Sequence, residues 1–322
     1  MGHVIALCGG VGGAKMAFGL ARALADDDLT LVVNTGDDFG HLGLAVSPDI
    51  DTVVYTLSDL ADRERGWGLA GETWGFMAAL RRLGGEDWFQ LGDHDLAMHV
   101  ERTRRLAAGE SLSQVTAHMA RRLGLGCAIV PMSDQPVRTW IDTDSGPLAF
   151  QHYFVRERCA PIARRVSFDG AGDARPSPAF AAALARPDLA AILICPSNPY
   201  LSVDPILSIP GVREAIQRSA APCVAVSPIV GGQAIKGPAA KLMGELGVIP
   251  GAAAIAAHYA GLIDGLVLDV VDTGEAGAIE RLGIAAHVAQ TIMRGDEDRL
   301  GLAREALAFA ATLAAPRTAK AG

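Results

Sequence analysis

The 322-residue chain carries 28 Lys and Arg against 36 Asp and Glu, a formal net charge of −8, with 50% hydrophobic and 20% charged residues. That length and apolar content predict one large α/β domain or a domain with an insertion, and the acidic balance excludes general electrostatic attraction to nucleic acid or an anionic membrane. Cys8, Cys127, Cys159, Cys195 and Cys223 are odd in number and form no CxxC pair, which argues against a disulfide framework or a zinc site and points to a reducing cytosol.

The chain opens on an apolar strand, residues 4–7, with no basic and cleavable segment before it and no run of membrane-spanning length, so a soluble cytoplasmic protein is expected. Leu-Cys-Gly-Gly-Val-Gly-Gly-Ala-Lys follows over residues 7–15, ahead of a helical pattern at 16–24. Gly9, Gly10, Gly12 and Gly13 let the backbone turn and approach a ligand, a helix start offers free N–H groups to a phosphate, and Lys15 adds charge. The spacing fits neither GxxxxGK[ST] nor GxGxxG. Either the loop binds phosphate in its own way, with a side chain at Gly10 or Gly12 crowding the ligand, or the glycines only tighten a strand-to-helix turn.

A second strand, 29–33, leads into Asn34-Thr35-Gly36-Asp37-Asp38, and Ser47-Pro48-Asp49-Ile50-Asp51 follows. Carboxylates at strand ends opposite a phosphate-binding turn suit Mg²⁺, which takes one or two protein oxygens and leaves the rest to water or substrate. Alternatively Asp38 is solvated, Asp49 caps a helix beginning near Asp51, and Asp37 bonds its own loop. Between residues 47 and 126 the spacing turns helical, at 74–83, 95–106 and 112–123, with Ser111 and Gln114 forming a capping box before the last. This stretch reads as a helical insertion over a core made of residues 1–46 and 127–316. Within it Trp67 and Trp74 lie in glycine-flanked turns able to admit a flat ligand, although Trp74 equally suits a core anchor. Gln90, Asp93, His94 and Asp95 form an acidic turn; His94 and His99 read as surface or capping residues rather than metal ligands.

Strand-like runs at 127–130, 190–195 and 223–226 end in Ser133-Asp134, Ser197-Asn198 and Ser227 to Gly231-Gly232. Continuous apolar strands separated by helices imply a mostly parallel sheet covered on both faces, a Rossmann-like three-layer α/β core whose ligand crevice lies beyond the carboxyl ends of the strands. Small polar donors there suit phosphates and nucleobase edges. Residues 135–168 read as a hairpin appended to that sheet, and the tail after Pro316 as frayed. No GxSxG elbow or Cys/His motif supports covalent acyl catalysis.

In order along the chain, GGVGGAK at 9–15, NTGDD at 34–38, SPDIDTVVYTLSD at 47–59, GWG and ETWG within 66–75, LGDHD at 91–95, PMSDQPV at 131–137, PSNP at 196–199 and SPIVGG at 227–232 resemble the 2-phospho-L-lactate transferase family of coenzyme F-420 assembly. The resemblance implies a Rossmann-like core with a helical insertion. It also implies transfer of a phospho-organic acid, 2-phospholactyl, phosphoenolpyruvyl or 3-phosphoglyceryl, from a guanosine diphospho-linked donor to the ribityl hydroxyl of Fo, with release of GMP. Carried over residue by residue, Mg²⁺ falls to Asp37 and Asp51, with Asp51 beside the acceptor hydroxyl. Taken with the loops read above, the donor is expected at Gly9, Gly10, Gly12, Gly13, Lys15, Ser133, Asp134, Ser197, Asn198, Ser227, Gly231 and Gly232, and the acceptor at Asp51, Trp67, Trp74, Gln90 and Asp93 beneath a closing cap at 47–126; the expected assembly of the protein is a homodimer. The chain departs from the family at Gln90 and His94. A non-catalytic nucleotide-binding regulator of the same fold is the alternative. A nicotinamide-dependent oxidoreductase lacks its glycine fingerprint here.

Overall fold

A computed structural model describes residues 2–314; the expected fraying after Pro316 lies outside the described residues. The apolar runs become β1 (His3–Cys8) and β2 (Leu29–Val33), buried at every position, as strands covered on both faces must be. Helix α1 (Gly10–Ala23) joins β1 to β2, and a short hairpin, β3 (Phe39–His41) and β4 (Leu44–Val46), follows β2. Helices α2 (Pro48–Leu57), α3 (Gly75–Arg82), α4 (Asp93–Ala107) and α5 (Leu112–Arg122) then lead to β5 (Ala128–Pro131). Beyond lie β6 (Arg138–Thr143), β7 (Gly146–Ala149), β8 (Ala163–Asp169), β9 (Leu189–Ile194), β10 (Cys223–Val226), the short pair β11 (Ile229–Val230) and β12 (Gln233–Ala234), β13 (Gly265–Asp269) and β14 (Ala285–Ala289).

Seven strands pair in parallel in the order β14-β13-β10-β9-β1-β2-β5. The chain builds outward from β1 through β2 to β5, then crosses to β9 and builds the other way. The switch point is therefore between β1 and β9, where a doubly wound sheet opens its crevice. One face is covered by α1, α2 and the terminal helix Asp296–Leu313, through residues such as Met16, Leu20, Val53, Leu302 and Ala306. The other is covered by the segments carrying Phe180, Ile206, Val212 and Ile255.

Two expectations change. The insertion begins later than residue 47, because Ile50, Val53, Val54 and Tyr55 of α2 share the core of β1 and β2. Residues 138–169 form a separate antiparallel sheet, order β7-β6-β8, rather than a hairpin on the main one. In β6 only alternate residues, Thr139, Ile141 and Thr143, are buried, and a strand with one apolar face has no place in a sheet buried on both. The capping box of α5 forms as read, with Ser111 and Gln114 bonding reciprocally. Among the described residues no helix is long and apolar enough to cross a membrane.

Candidate active site

Beyond the carboxyl ends of β1 and β9 opens a cavity of about 590 Å³. Its floor is the glycine segment, which forms the first turn of α1 rather than a loop ahead of it. The Gly9 N–H donates to Ser197 Oγ at 3.1 Å, and that hydroxyl donates back to the Gly9 carbonyl at 2.8 Å, tying the ends of β1 and β9 together. A Cβ on Gly12 would strike the Pro196 carbonyl oxygen, and one on Gly13 would strike Ser197 Oγ, so both are glycine for close packing. Gly10 differs: its φ is +63° and the space around it is open. Its N–H donates at 2.7 Å to Asp49, so a carboxylate of the protein already faces the helix start.

Asp37, after β2, and Asp49, in the first turn of α2, are both buried. The Asn34 amide lies between them, 3.2 Å from Asp37 Oδ1 and 2.9 Å from Asp49 Oδ2. Burial, then the neighbouring charge of Asp49, raises Asp37 well above an ordinary carboxylate; burial raises Asp49 to about 6 against the pull of the Asn34 and Gly10 bonds. Among the described residues neither forms an ion pair. Two buried carboxylates facing one cavity with no cation from the protein fit a hard divalent ion that completes its shell with water or substrate oxygens. Among the described residues no group of three or more His, Cys, Asp or Glu gathers in this way. Asp38 is buried beside them but turned to Ser47, whose hydroxyl donates at 2.8 Å; burial raises it to about 7.

Asp51, expected to join Asp37, is held elsewhere. Two residues along a helix turn a side chain by about 200°, and this one meets Arg102 of α4. Both terminal nitrogens of that buried guanidinium engage it, Nη1 reaching Oδ2 at 3.1 Å. Arg102 Nη1 also contacts His99 Nδ1 at 3.2 Å, His99 Nε2 lies 3.3 Å from Asp95, and the Tyr55 hydroxyl donates to Asp95 at 2.6 Å. Asp51 thus belongs to a buried network between α2 and α4, and it does not line the cavity.

Of the other expected residues, Gly9, Gly10, Gly12, Lys15, Ser197, Asn198, Ser227, Trp67 and Gln90 line the cavity. Trp74 does not. It caps α3 and meets Trp67 edge-on, their centroids 6.2 Å apart, while the Arg65 guanidinium lies over both rings at 5.0 and 4.9 Å. Asp93 accepts from the Gly75 and Phe76 N–H groups, at 3.0 Å each, and so fixes the start of α3. Ser133 accepts from Gln135 N–H at 3.0 Å, Asp134 from Ser113 N–H at 2.7 Å, and Gly231 donates to Asp272 at 2.9 Å; these three and Gly232 stand outside the cavity. Gln90 is steadied by Arg81 at 2.9 Å. The sequence reading missed Lys236, Gln151, Phe89, Phe150 and Phe154, all of which line it. The only local signal for them was the aromatic run at 150–154.

The family model of 2-phospho-L-lactate transferase CofD matches residues 4–297. The chain is 42% identical over 315 residues to a phosphoenolpyruvate transferase of Kitasatospora aureofaciens, covering 96% of this chain and 98% of the relative. It is 39% identical over 300 residues to a 2-phospho-L-lactate transferase of Methanosarcina mazei, covering 93% and 98%. A crystal structure of a UPF0052-family protein from Bacillus halodurans superposes with a TM-score of 0.61 at 16% identity, over 95% of this chain and 98% of that one, a likeness of fold alone.

Proposed function

The chain belongs to the 2-phospho-L-lactate transferase family, and we propose that it moves a phospho-organic acid from a guanosine diphospho-linked donor to the ribityl hydroxyl of Fo, releasing GMP, in coenzyme F-420 biosynthesis. The observation that carries this reading is the unpaired carboxylate couple Asp37 and Asp49 facing the start of α1 within one cavity. No observation favours the non-catalytic alternative.

Asp37 and Asp49, rather than Asp37 and Asp51, are the residues proposed to hold Mg²⁺. Bound there, the ion would offset charge on the donor diphosphate. The Asn34 amide keeps the two carboxylates at a fixed separation, a position set in turn by its third contact, the Leu201 carbonyl at 3.3 Å. Ser197 locks the floor, and the buried Asn198 Nδ2, which has no partner among the described residues, offers a donor to a phosphate oxygen. A loose phosphoryl transition state depends more on position and charge than on a protein base. The five buried thiols suit the cytoplasm expected for this reaction, and a homodimer is the assembly carried with it.

The test is to incubate the protein with Fo and each guanosine diphospho-linked acid and to follow the product by mass spectrometry. Phospho-acid-linked Fo and GMP should form in Mg²⁺ and fail to form in excess chelator. Product formed at equal rates in both would remove the metal assignment, and no product from any donor would remove the reaction.

A further inference from the structure

Asp49 sits in the first turn of a helix that has no local cap. Ser47 stands at the cap position of α2, but its hydroxyl is turned to Asp38 at 2.8 Å and accepts no N–H of the helix, so the turn is not fixed where a Ser-Pro start usually fixes it. The grips come instead from α4. The Thr103 hydroxyl accepts from the Ala45 N–H at 2.8 Å, Arg102 Nη1 donates to the Ala45 carbonyl at 3.3 Å, and both terminal nitrogens of Arg102 engage the Asp51 carboxylate. Asp49 is thus bracketed by contacts at 45 and 51, all made by two neighbouring residues of one helix.

These grips belong to a frame that is buried throughout. One turn further along α2 the Tyr55 hydroxyl donates to Asp95, and Asp95, His99 and Arg102 follow one another along one face of α4. Arg102 is 1% exposed, His99 2% and Asp51 5%. Burying such a network adds little net stability, because an ion pair gives up about as much hydration as it gains in attraction. What it fixes is geometry: the guanidinium is planar, and its fork admits only a narrow range of carboxylate approaches.

Asp49 points away from this frame. Turned about 200° around the helix from Asp51, its carboxylate accepts from the Gly10 N–H and the Asn34 amide on the cavity side, whereas Arg102 lines no part of the cavity. A rotation of the first turn of α2 that carried Asp51 inward would carry Asp49 out. Resting on the reading of Asp37 and Asp49 as the Mg²⁺ couple, we propose that Arg102 is the positioning residue of that site. By holding Asp51 and Ala45 it sets the rotation at which Asp49 meets the cavity, and it keeps a third carboxylate out of the couple. Residues that orient a metal ligand without touching the metal change affinity by about 10–100-fold when replaced.

Two variants loosen the grip without leaving a buried charge unpaired. Arg102→Lys keeps a cation for Asp51 but gives up the fork, and the double variant Asp51→Leu/Arg102→Met removes both charges, a change that buried pairs tolerate. Calorimetric titration of Mg²⁺ at about pH 8, where the couple is deprotonated, should show affinity about tenfold lower in each, with melting temperatures in chelator close to wild type. In the metal-free protein the Gly10 amide proton, held by Asp49, should exchange about tenfold faster. Wild-type affinity, or wild-type exchange at Gly10, in a variant that melts like wild type would overturn the proposal; so would an affinity that falls only in step with the melting temperature. If wild type itself bound no Mg²⁺, the metal reading would fall, and exchange at Gly10 alone would decide whether Arg102 aims Asp49.

Discussion

Three aspartates within fifteen residues have two different fates, and their environments say what each substitution will do. Asp37→Asn and Asp49→Asn each remove one negative charge from a couple without a counter-cation. Turnover should be lost, at a cost of several kcal/mol of transition-state stabilisation, while the melting temperature in chelator should hold or rise. Asp51→Asn should do the reverse to stability. It strands the buried Arg102, and breaking one side of such a pair costs about 3–5 kcal/mol; thermal denaturation of the three variants separates the cases. The same groups set a pH dependence. Burial pushes Asp49 up to about 6 and Asp38 up to about 7 in the fold, both above an unfolded carboxylate. Through that window the folded state still holds protons that the unfolded state has released, so these groups make the metal-free protein less stable as pH rises. Mg²⁺ binds the deprotonated couple, so its stabilising effect should grow between about pH 5 and about pH 8. A rise in melting temperature on adding Mg²⁺ that is equal at both ends of that range would count against Asp37 and Asp49 as ligands.

At the level of the element, the glycines of α1 separate into two kinds. Gly12 and Gly13 let the helix approach the loop after β9, whereas Gly10 supplies a positive φ in open space. Gly10→Ala should therefore cost about 1–2 kcal/mol of backbone strain and leave a folded protein in which nucleotide binding is measurable. Gly12→Ala, which drives a methyl group into the Pro196 carbonyl, should lower the melting temperature further. If Gly12→Ala melted like wild type yet lost GMP binding, Gly12 would be a ligand contact rather than a packing one. The sequence reading of crowded phosphates at both positions is thus narrowed to Gly10. The glycine run was legible because four small residues between a strand and a helix have few other uses. Which of them faces a ligand was not, because that depends on Pro196 and Ser197, nearly two hundred residues away.

Across the whole molecule, closure over the substrates should come from the two walls of the cavity and not from all of residues 47–126. Helix α2 packs in the main core, while Arg65, Trp67, Phe89 and Gln90, together with Phe150 and Phe154, line the cavity from outside it. Hydrogen exchange should slow on adding Fo and GMP in the segments 60–74, 86–92 and 150–156 and stay unchanged in α2; protection spread evenly over 47–126 would show one closing unit instead. The parallel sheet, the glycine-led helix start, the capping box at Ser111 and the acidic loops after β2 were all determined by sequence, because each rests on residues adjacent in the chain or on a local period. Tertiary structure alone decided the partner of Asp37. Asp49 and Asp51 flank the apolar face of α2 almost symmetrically, and only the arrival of Arg102, 51 residues further on, withdraws one of them and leaves the other to the cavity. A helix pattern specifies which side chains point apart; which of them meets a charge is specified by what packs against the helix.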